Sequence, residues 1–478
     1  MSDYYLAIDI GASSGRHMIG SINDGKMFLE EIYRFPNGMV NKKGQLCWDI
    51  KMLFDEIING LKKCSEIGKV PKFLGIDTWA VDFVLLGKDD ELLGEAVGYR
   101  DERTIGMDAK VCEKISLSEL YERTGIQKLS FNTIYQLMAV KENEPEILKE
   151  AHTFLMIPEY LNFLLTGVKK AEYTNATSTQ LINIDTKSWD YELIERLGYP
   201  NGIFQEISLP GSGVGMLSDK IVEEIGFNCE VILPASHDTA SAVVALPSKM
   251  DETLYISSGT WSLMGVERLD FDTSQNSMAY NFSHEGGFDY RYRYLKNIMG
   301  LWMIQELKRE LDHKYSFAKL CELASVEAID SIVDAQDERF LAPISMIYEV
   351  KAYCLENDMV VPNTPGEIAA VIYNSLAECY RKTAYEIEKM TGITYPMINI
   401  IGGGANADYL NEITAKRTGK DVLAGPTEAT AIGNIAVMML AKGVFSDLKE
   451  ARESIFGSFD IKYYEGEITD VTNKIRAS

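Results

Sequence analysis

The sequence predicts an α/β protein made of two related domains, and three observations lead to this expectation. At 478 residues, the chain is too long for one compact core, because domains average roughly 150 residues. Strand-like alternation is interleaved with helical apolar spacing, which is typical of α/β proteins. A short strand-and-turn motif near the N-terminus also recurs past the middle of the chain, which favours an internal duplication.

Three antiparallel strands are predicted at the start of the chain. Apolar residues alternate with small or polar ones over residues 6–11, which is the two-residue period of a strand. A turn over 11–15 precedes a returning strand over 17–22, and an Asn-Asp-Gly turn at 23–25 leads into a third strand over 27–33. The chain is therefore expected to open with a three-stranded meander.

Helices and further strands are predicted after this meander. Residues 49–67 carry apolar side chains at helical spacing, and residues 73–77 form a short buried strand. Near the other end, residues 397–401 form a buried strand that runs into three glycines at 402–404 and then into a helix over 407–418. This helix is expected to end at the glycine that follows it, where a left-handed cap is easy to form.

The internal repeat consists of two short runs. The run LAIDIGASS at 6–14 is echoed by LYISSGTWS at 254–262, and both place glycine and hydroxyl residues in the turn after a β run. A duplicated domain would bring two such hairpins to face each other across a shared cleft. The boundary is predicted near Pro247, after a helix-like stretch. The predicted domains are therefore residues 1–247 and residues 248–478.

Composition and charge exclude several classes of partner. The hydrophobic share of 46% and the charged share of 25% are ordinary for a globular protein. With 47 basic and 71 acidic residues the net charge is −24, so nucleic acid and anionic membrane surfaces would be repelled at long range. We expect neither as a partner. An anionic small ligand stays possible, because a local cradle of backbone N–H groups can hold phosphate inside a negative protein.

The cysteines indicate a reducing compartment. All seven are scattered singly, without CxxC spacing, as is typical of reduced thiols. The N-terminal run lacks the charged and apolar regions of a signal peptide, and the apolar stretch at 429–441 is too short to span a bilayer. The expected location is the cytoplasm.

The turn after the first strand has the composition of a phosphate site. In the run DIGASSGR at 9–16, small residues let the backbone approach phosphate oxygens, while serine hydroxyls and an arginine supply further donors. Asp9, at the strand end, can hold Mg²⁺ through water. The plainer interpretation is a hairpin turn in which Asp9 bonds local amides. The fingerprints of P-loop and dinucleotide-binding proteins are absent from the sequence.

A second candidate lies in the run ASHDT at 235–239, which follows an apolar strand and opens a helix of small residues. An aspartate at a helix start is most simply an N-cap, and this interpretation of Asp238 stays open. The alternative is a catalytic carboxylate, since phosphoryl transfer through a loose transition state needs only a weak, well-placed base. His237 is either a substrate contact or a core histidine.

Three other stretches suit a sugar or a nucleotide. The runs DTWAVDF at 77–83 and YRDER at 99–103 mix aromatic and polar side chains as sugar sites do, or are surface loops with an ion pair. The three glycines at 402–404 suit a backbone that passes flat against a base or ribose, or are packing residues. Zinc-ligand spacing and a GxSxG motif are absent from the sequence.

Taken together, these stretches resemble the FGGY family of carbohydrate kinases, within the superfamily of actin, hexokinase and Hsp70-like ATPases. The resemblance covers essentially the whole chain and is closest to the members that act on L-rhamnulose. It implies two ribonuclease-H-like domains with a cleft between them, ATP and Mg²⁺ as cofactors, and transfer of the γ-phosphoryl group to the 1-hydroxyl of L-rhamnulose. The matching runs lie at 9–16, 75–83, 173–177, 235–243, 257–265 and 296–302.

The resemblance also implies roles for single residues, with the proton acceptor at Asp238. The implied nucleotide contacts are Ala12, Ser13, Ser14, Gly15, Arg16, Thr260, Gln305 and Gly403. The implied sugar contacts are Ala80, His237, Asp238, Thr239 and Asn297.

One sugar contact departs from the family pattern. The family usually has glycine where this chain has Ala80, so a methyl group intrudes into the sugar site. Ala12 agrees with the rhamnulose-type members, whereas other subfamilies carry Thr or Ser there. The alternative functions are a kinase for another ketose, such as L-fuculose or xylulose, and an ATP-driven clamp of the same superfamily. The oligomeric state, monomer or dimer, is left open.

Overall fold

The computed structural model describes residues 3–248, 253–341 and 343–466. By their internal contacts, the residues form two compact units. The first unit contains the chain up to Ala245 together with Arg268–Tyr294 and Thr430–Ser458, and the second contains Leu246–Glu267, Leu295–Ala429 and the residues from Phe459 onward. The domain boundary at Pro247 stays a prediction, because these units group residues by contact and each is discontinuous in sequence.

The strands and helices alternate along much of the chain, as an α/β fold requires. The strands are β1 (Tyr5–Ile10), β2 (Ser14–Asn23), β3 (Lys26–Pro36), β4 (Met39–Lys42), β5 (Gln45–Trp48), β6 (Phe73–Thr78), β7 (Phe83–Leu86), β8 (Leu92–Leu93), β9 (Thr153–Met156), β10 (Ala171–Glu172), β11 (Ile182–Asn183), β12 (Ser188–Trp189), β13 (Ile207–Ser208), β14 (Gly213–Met216), β15 (Glu230–Ile232), β16 (Leu254–Ser258), β17 (Trp261–Arg268), β18 (Ser283–Gly286), β19 (Tyr292–Met299), β20 (Met397–Ile401), β21 (Asp421–Ala424) and β22 (Lys462–Tyr464).

The α-helices are α1 (Ile50–Glu66), α2 (Met107–Cys112), α3 (Leu117–Thr124), α4 (Thr133–Asn143), α5 (Pro145–Glu150), α6 (Ile157–Thr166), α7 (Tyr173–Thr177), α8 (Tyr191–Leu197), α9 (Asp219–Ile225), α10 (Asp238–Val244), α11 (Gln275–Ala279), α12 (Trp302–Glu310), α13 (Phe317–Ser325), α14 (Met346–Glu356), α15 (Pro365–Thr391), α16 (Asp408–Thr418), α17 (Ala429–Ala441) and α18 (Leu448–Ser458). Short 3₁₀ turns lie at Glu102–Thr104, Asn201–Ile203, Phe288–Tyr290, Glu338–Phe340 and Gly403–Asn406. Of the helices in these described ranges, none has the length and apolar character that a membrane span requires.

The first unit is built on a sheet with strand order β14-β15-β6-β1-β2-β3. Strands β1, β2 and β3 form the predicted antiparallel meander, and β6 and β15 continue the sheet in parallel beside β1. The register places Asp9 of β1 opposite both Arg16 of β2 and Asp77 of β6. The strand pattern thus brings these three charged side chains to one edge of the sheet, where β1 and β6 end and β2 begins.

Helix α1 covers this sheet as its apolar spacing predicts. Asp49 caps the helix by accepting a hydrogen bond from the backbone N–H of Met52 (3.2 Å). Leu53, Ile57 and Leu61 recur every four residues and are fully buried, which is the stripe of an amphipathic helix. The sequence prediction missed the hairpin of β4 and β5 between the meander and this helix, because its polar tip carries no apolar alternation.

The second unit repeats the central topology of the first. It contains strands in the order β17-β16-β20-β21-β22, in which β16 and β17 form an antiparallel hairpin and β20 and β21 run parallel to β16. The hairpin β1–β2 likewise lies beside two parallel strands, β6 and β15. The two runs of the sequence repeat therefore form equivalent hairpins, one in each sheet.

Helix α10 packs closely against helix α17 within the first unit. A side chain on Gly433 of α17 would overlap the backbone carbonyl oxygen of Ser241 in α10 and approach Val244. Because α10 begins at Asp238, this glycine sets how near the Asp238 helix lies to its neighbour.

We therefore expect Gly433→Ala to push α10 and α17 apart and to lower the free energy of unfolding by about 1–3 kcal/mol, the usual cost of overpacking. Gly457→Ala is the matched control, because Gly457 lies in helix α18 with open space around it, and alanine there is neutral or stabilising by up to about 1 kcal/mol. Urea unfolding of both variants checks this. Equal stability of the two variants would contradict the close packing at Gly433.

Candidate active site

Asp9 lies at the end of β1 and is nearly fully buried. Its Oδ2 accepts a hydrogen bond from Nε of Arg16 (3.0 Å), and the pair forms an ion pair. Asp9 thus bonds the Arg16 side chain across the hairpin, and its role in a phosphate site or in a plain turn stays a prediction. Both charges of the Arg16–Asp9 ion pair therefore lie near the turn between β1 and β2.

That turn is closed by backbone hydrogen bonds. The N–H of Gly11 donates to the carbonyl of Ser14 (3.0 Å), and Asn37 donates from its side chain to the carbonyl of Gly11 (2.8 Å). Ser13 is exposed and Ala12 is half-buried. A side chain on Gly15 would overlap the ring of Phe35, so packing under the turn demands this glycine.

Asp77 is a second carboxylate at this edge and is fully buried. Asn434 of α17 donates to its Oδ2 (2.6 Å), while its Oδ1 has no hydrogen-bond partner among the described residues. Burial, followed by the charge of Asp9 and a contribution from Asp238, raises the pKa of Asp77 well above its ordinary value. Three carboxyl groups therefore share this part of the first unit.

Asp238 is the first residue of α10, and the N-cap is His237 rather than Asp238. Its Oδ1 accepts hydrogen bonds from the backbone N–H of Thr239 (2.6 Å) and from the Thr239 hydroxyl (3.2 Å). The side chain is 33% exposed, whereas His237 and Thr239 are buried. The Asp238 carboxylate can thus be reached from outside, as a base that meets a substrate must be.

The loop before Asp238 is held by the buried carboxylate of Glu172. This carboxylate accepts hydrogen bonds from the N–H and hydroxyl of Thr174 (2.8 and 2.6 Å), from the N–H of Asn175 (3.1 Å), and from the N–H and hydroxyl of Ser236 (3.1 and 2.7 Å). The Thr174 hydroxyl in turn accepts from the N–H of His237 (3.4 Å). Burial raises the pKa of Glu172, and these donors oppose that shift.

The loop that carries Ala80 is held by Asp82. Its Oδ2 accepts from the indole N–H groups of Trp48 (2.7 Å) and Trp79 (2.9 Å) and from the N–H of Tyr99 (3.1 Å), and its Oδ1 accepts from Gln136 (2.9 Å). Burial, opposed by these donors, raises its pKa to about 6. Rings of Trp48 and Trp79 lie 3.9 Å apart between centroids. The loop is thereby fixed against two buried aromatic rings.

Two polar residues of the stretch at 99–103 have local structural partners. Arg103 is engaged locally, since it donates to the Gln136 side chain (2.6 Å) and to the Val97 carbonyl (3.3 Å). Asp101 accepts from the backbone N–H groups of Leu46 (2.7 Å) and Arg103 (2.9 Å). These two side chains stabilise the loop through neutral partners, and the choice between a sugar site and a surface loop stays a prediction for this stretch.

The remaining implied residues lie in the second unit. Thr260 is half-buried in the turn between β16 and β17, where the N–H of Trp302 donates to its carbonyl (3.1 Å). Asn297 is half-buried in β19, and Gln305 is half-buried in α12. Gly403 is exposed after β20. A side chain on Gly404, next to it, would overlap the Ser258 hydroxyl, so part of the glycine run is required by packing.

The structure thus places Asp9, the turn at 12–16, Ala80 and residues 237–239 in the first unit, and the other implied residues in the second. Sequence reasoning missed the residues that hold the Asp238 loop and its neighbours, namely Glu172, Glu285, Arg293 and Asn434. Glu172 directly precedes the run at 173–177 that carried part of the resemblance. No sequence motif marks the other three, because the site residues that they contact, His237 and Asp77, lie far away in sequence.

Within the described residues, no group of three or more His, Cys, Asp or Glu side chains is arranged to hold a metal ion. A complete protein cage for a cation is therefore not part of the described structure. Carboxylates at the sheet edge can still contribute to an ion that a phosphate also binds, which is the usual way that proteins hold Mg²⁺.

Comparison with known proteins agrees with this fold. Residues 4–245 match the N-terminal domain of the FGGY family of carbohydrate kinases, and residues 254–441 match its C-terminal domain. Among solved structures, the chain is similar to xylulose kinase from Lactobacillus acidophilus (TM-score 0.79, 18% identity, 99% of this chain and 96% of that one). It is also similar to Plasmodium falciparum glycerol kinase with ADP (TM-score 0.77, 16% identity, 100% and 96%). These likenesses confirm the predicted two-domain α/β fold.

Curated relatives match over nearly their full length. The chain is 52% identical to the rhamnulokinase of Halalkalibacterium halodurans, over 97% of this chain and 98% of that protein. It is 42% identical to the rhamnulokinase of Bacillus subtilis, over 99% of this chain and 97% of that protein. Both family models and full-length identity agree with the resemblance predicted from the motifs. The chain belongs to the FGGY family of carbohydrate kinases.

Proposed function

We propose that this carbohydrate kinase transfers the γ-phosphoryl group of ATP to the 1-hydroxyl of L-rhamnulose, which gives L-rhamnulose 1-phosphate and ADP. The observation that carries the proposal is the reachable Asp238 carboxylate at the start of α10, in a chain 52% identical to a rhamnulokinase. Membership of the family implies the use of ATP. The choice of sugar and the roles of single residues are the proposed part.

In the proposed reaction, Asp238 accepts the proton of the 1-hydroxyl as that oxygen bonds to phosphorus and the bond to ADP breaks. The hydroxyl loses its proton late in a loose transition state, so a carboxylate suffices as the base. Glu172 supports this role because it fixes Ser236, two residues before Asp238, through two hydrogen bonds. A base held in this way meets the hydroxyl in one orientation, which is where much of the rate gain originates.

The nucleotide contacts proposed in the first unit are Ala12, Ser13, Ser14, Gly15 and Arg16, and those in the second unit are Thr260, Gln305 and Gly403. The support for the first set is a small-residue turn that leaves Ser13 exposed beside the Arg16 charge. Positive charge and backbone N–H groups are the donors that phosphate oxygens accept from. Gly403 is exposed, and because it has no side chain, an adenosine can contact the backbone there.

Mg²⁺ is the second proposed cofactor, and Asp9 is the residue we expect to hold it through water. The residues present fit such an ion: Asp9 supplies a buried carboxylate, and Asp77 next to it has an oxygen without a hydrogen-bond partner in the described chain. When bound, Mg²⁺ neutralises charge on the transferring phosphates. Arg16 keeps the Asp9 carboxylate in place through its ion pair.

The proposed sugar contacts are Ala80, His237, Asp238, Thr239 and Asn297. Ala80 is half-buried in the loop that Asp82 holds against Trp48 and Trp79. These hydrogen bonds hold the loop in one position, which suits a loop that orients a substrate. Compared with glycine, the Ala80 methyl group leaves less space for a sugar beside this loop. We therefore expect the sugar specificity to depend on this residue.

The cytoplasm is the proposed compartment, and the supporting observation is that all seven cysteines are free. Six of them are buried and only Cys112 is exposed, which is common for thiols in a reducing environment. Whether the enzyme is a monomer or a dimer is not part of the proposal.

An ADP-release assay across a ketose panel tests the proposal. We expect L-rhamnulose to give the highest kcat/KM, above L-fuculose and xylulose, and phosphorus NMR to find the product phosphate on the 1-oxygen. A preference of more than about tenfold for another ketose, or about 1.4 kcal/mol, would instead assign a kinase for that sugar. ADP release that no ketose increases would favour the ATP-driven clamp.

Asp238→Asn is expected to lower kcat by about 10²- to 10⁴-fold, because an amide cannot accept the hydroxyl proton. Asp219→Asn is the matched control, since Asp219 is also the first residue of a seven-residue helix, α9, and is exposed. The control is expected to retain wild-type kcat, and both variants should unfold at similar temperatures. If the two variants have comparable activity, Asp238 is not the catalytic base and only carries a charge at the start of its helix.

Asp9→Asn is expected to raise the Mg²⁺ concentration for half-maximal rate about tenfold, equivalent to about 1.4 kcal/mol, because a neutral amide holds the water shell of the ion poorly. Asp24→Asn serves as the control, because Asp24 lies exposed at the turn between β2 and β3. The measurement is a Mg²⁺ titration of turnover at saturating sugar and ATP. If the Mg²⁺ titration of Asp9→Asn equals that of the wild type, Asp9 does not hold Mg²⁺.

A further inference from the structure

The imidazole of His237 has charged neighbours at both ring nitrogens. Its Nδ1 lies 3.0 Å from Nη2 of Arg293 and 3.3 Å from Oε2 of Glu285. Its Nε2 lies 3.4 Å from Oδ1 of Asp238. All four residues belong to the first unit. Which nitrogen carries the ring hydrogen therefore depends on these three neighbours, and it decides what the ring offers beside the proposed base.

Arg293 is held rigidly in this arrangement. Its side chain is fully buried, and its Nε donates to the carbonyl of Gly286 (2.9 Å). Its Nη2 also forms an ion pair with Glu285 (2.9 Å). Burial alone would raise the pKa of Glu285, but the charge of Arg293 opposes burial and lowers that pKa. The guanidinium and its counter-ion thus form a fixed pair behind the imidazole.

We propose that Arg293 is a positioning residue that fixes the ring hydrogen of His237 on Nε2. A guanidinium has N–H donors and no lone pair to accept with, and it stays protonated in proteins. A hydrogen bond between Nη2 and Nδ1 therefore uses the lone pair of Nδ1. The ring hydrogen is left on the other nitrogen, Nε2, which faces Asp238.

Glu285 is the competitor, because a carboxylate would accept a hydrogen bond from a protonated Nδ1. Its Oε2 is 0.3 Å farther from Nδ1 than Arg293 is, at 3.3 Å against 3.0 Å. Nη2 of Arg293 lies 2.9 Å from this oxygen as an ion pair, but no N–H or O–H group of the described chain is directed at it in the geometry of a hydrogen bond. The geometry at Nδ1 therefore favours the donor from Arg293 over the acceptor from Glu285.

The contact between Nε2 of His237 and Asp238 also favours the ring hydrogen on Nε2. With the hydrogen on Nε2, an N–H dipole faces the Asp238 carboxylate at 3.4 Å, which is an attractive contact. With the hydrogen on Nδ1, a lone pair would face that carboxylate, which is repulsive. Both faces of the imidazole thus select the same tautomer.

The consequence for the reaction rests on the proposed function. An Nε2–H beside Asp238 is a donor that can bind a sugar oxygen, while Asp238 remains free to accept the proton of the 1-hydroxyl. The opposite tautomer would present two acceptors side by side and would bind a sugar hydroxyl less well. Arg293 would thereby act on sugar binding through His237, without touching the sugar.

Nitrogen NMR of the protein labelled with ¹⁵N-histidine tests the tautomer directly, because a ring nitrogen with a lone pair resonates far from one that carries hydrogen. The chain has five histidines, and His237→Gln identifies the signals of His237. Two others are internal references. Nε2 of His17 faces the carbonyl of Ile57 (3.2 Å), so it carries hydrogen, whereas Nε2 of His284 accepts from the N–H of Asp272 (3.0 Å), so it does not.

We expect the His237 pattern in the wild-type protein to match that of His17 and to differ from that of His284. In Arg293→Met, we expect the hydrogen to move to Nδ1, because Glu285 then remains as its neighbour. In Glu285→Gln, which keeps Arg293, we expect it to stay on Nε2. A wild-type pattern like that of His284 would overturn the proposal, as would an unchanged pattern in Arg293→Met or a switched one in Glu285→Gln.

If Arg293→Met fails to fold, the wild-type and Glu285→Gln spectra still decide the matter. In the folded variant, we expect KM for L-rhamnulose to rise about tenfold, equivalent to about 1.4 kcal/mol, with KM for ATP changed less than twofold. An equal rise in both constants would indicate a general structural defect and overturn the role in sugar binding. The spectra need no substrate, so a failed ketose assay would overturn the proposed function and leave the tautomer assignment to stand on its own.

Discussion

The position of the proposed base depends on one buried carboxylate, that of Glu172. It gathers five hydrogen bonds from Thr174, Asn175 and Ser236, and thereby ties the start of α7 to the loop that leads into α10. A buried charge is stable only when it is fully hydrogen-bonded, so the loop has one low-energy conformation. The close approach of α10 to Gly433 and the Arg293 contact to His237 then act on a loop that is already fixed.

A second constraint is the crowding of carboxyl groups at the sheet edge. Register places Asp77 beside Asp9, and Asp238 contributes to the raised pKa of Asp77. Like charges in a buried site repel strongly, and a proton on one of them relieves the repulsion. Asp77, which is fully buried, takes that proton most readily. Of the other two, Asp9 is paired with Arg16, and Asp238 is the more exposed side chain.

Much of the fold could be predicted from local patterns. Two-residue alternation predicted the meander, four-residue spacing predicted α1, and the repeated run predicted a second hairpin in an equivalent position. The hairpin of β4 and β5 was missed, because its two four-residue strands are too short to show a clear alternation. For the site, the motifs pointed to Asp9, His237 and Asp238. They did not point to Glu285 or Arg293, which lie about fifty residues further along the chain.

The sequence by itself determined the fold class, the family and which residue types stand in the phosphate turn and before α10, since these depend on short patterns. Only the tertiary structure decided that His237 rather than Asp238 is the N-cap of α10, and which carboxyl groups are buried and which is reachable. It also decided that Asp101 and Arg103 stabilise a loop and that Arg293 faces Nδ1 of His237. The physical reason is that protonation and hydrogen-bond direction depend on the charges and donors within a few ångströms, and folding brings these from distant parts of the chain.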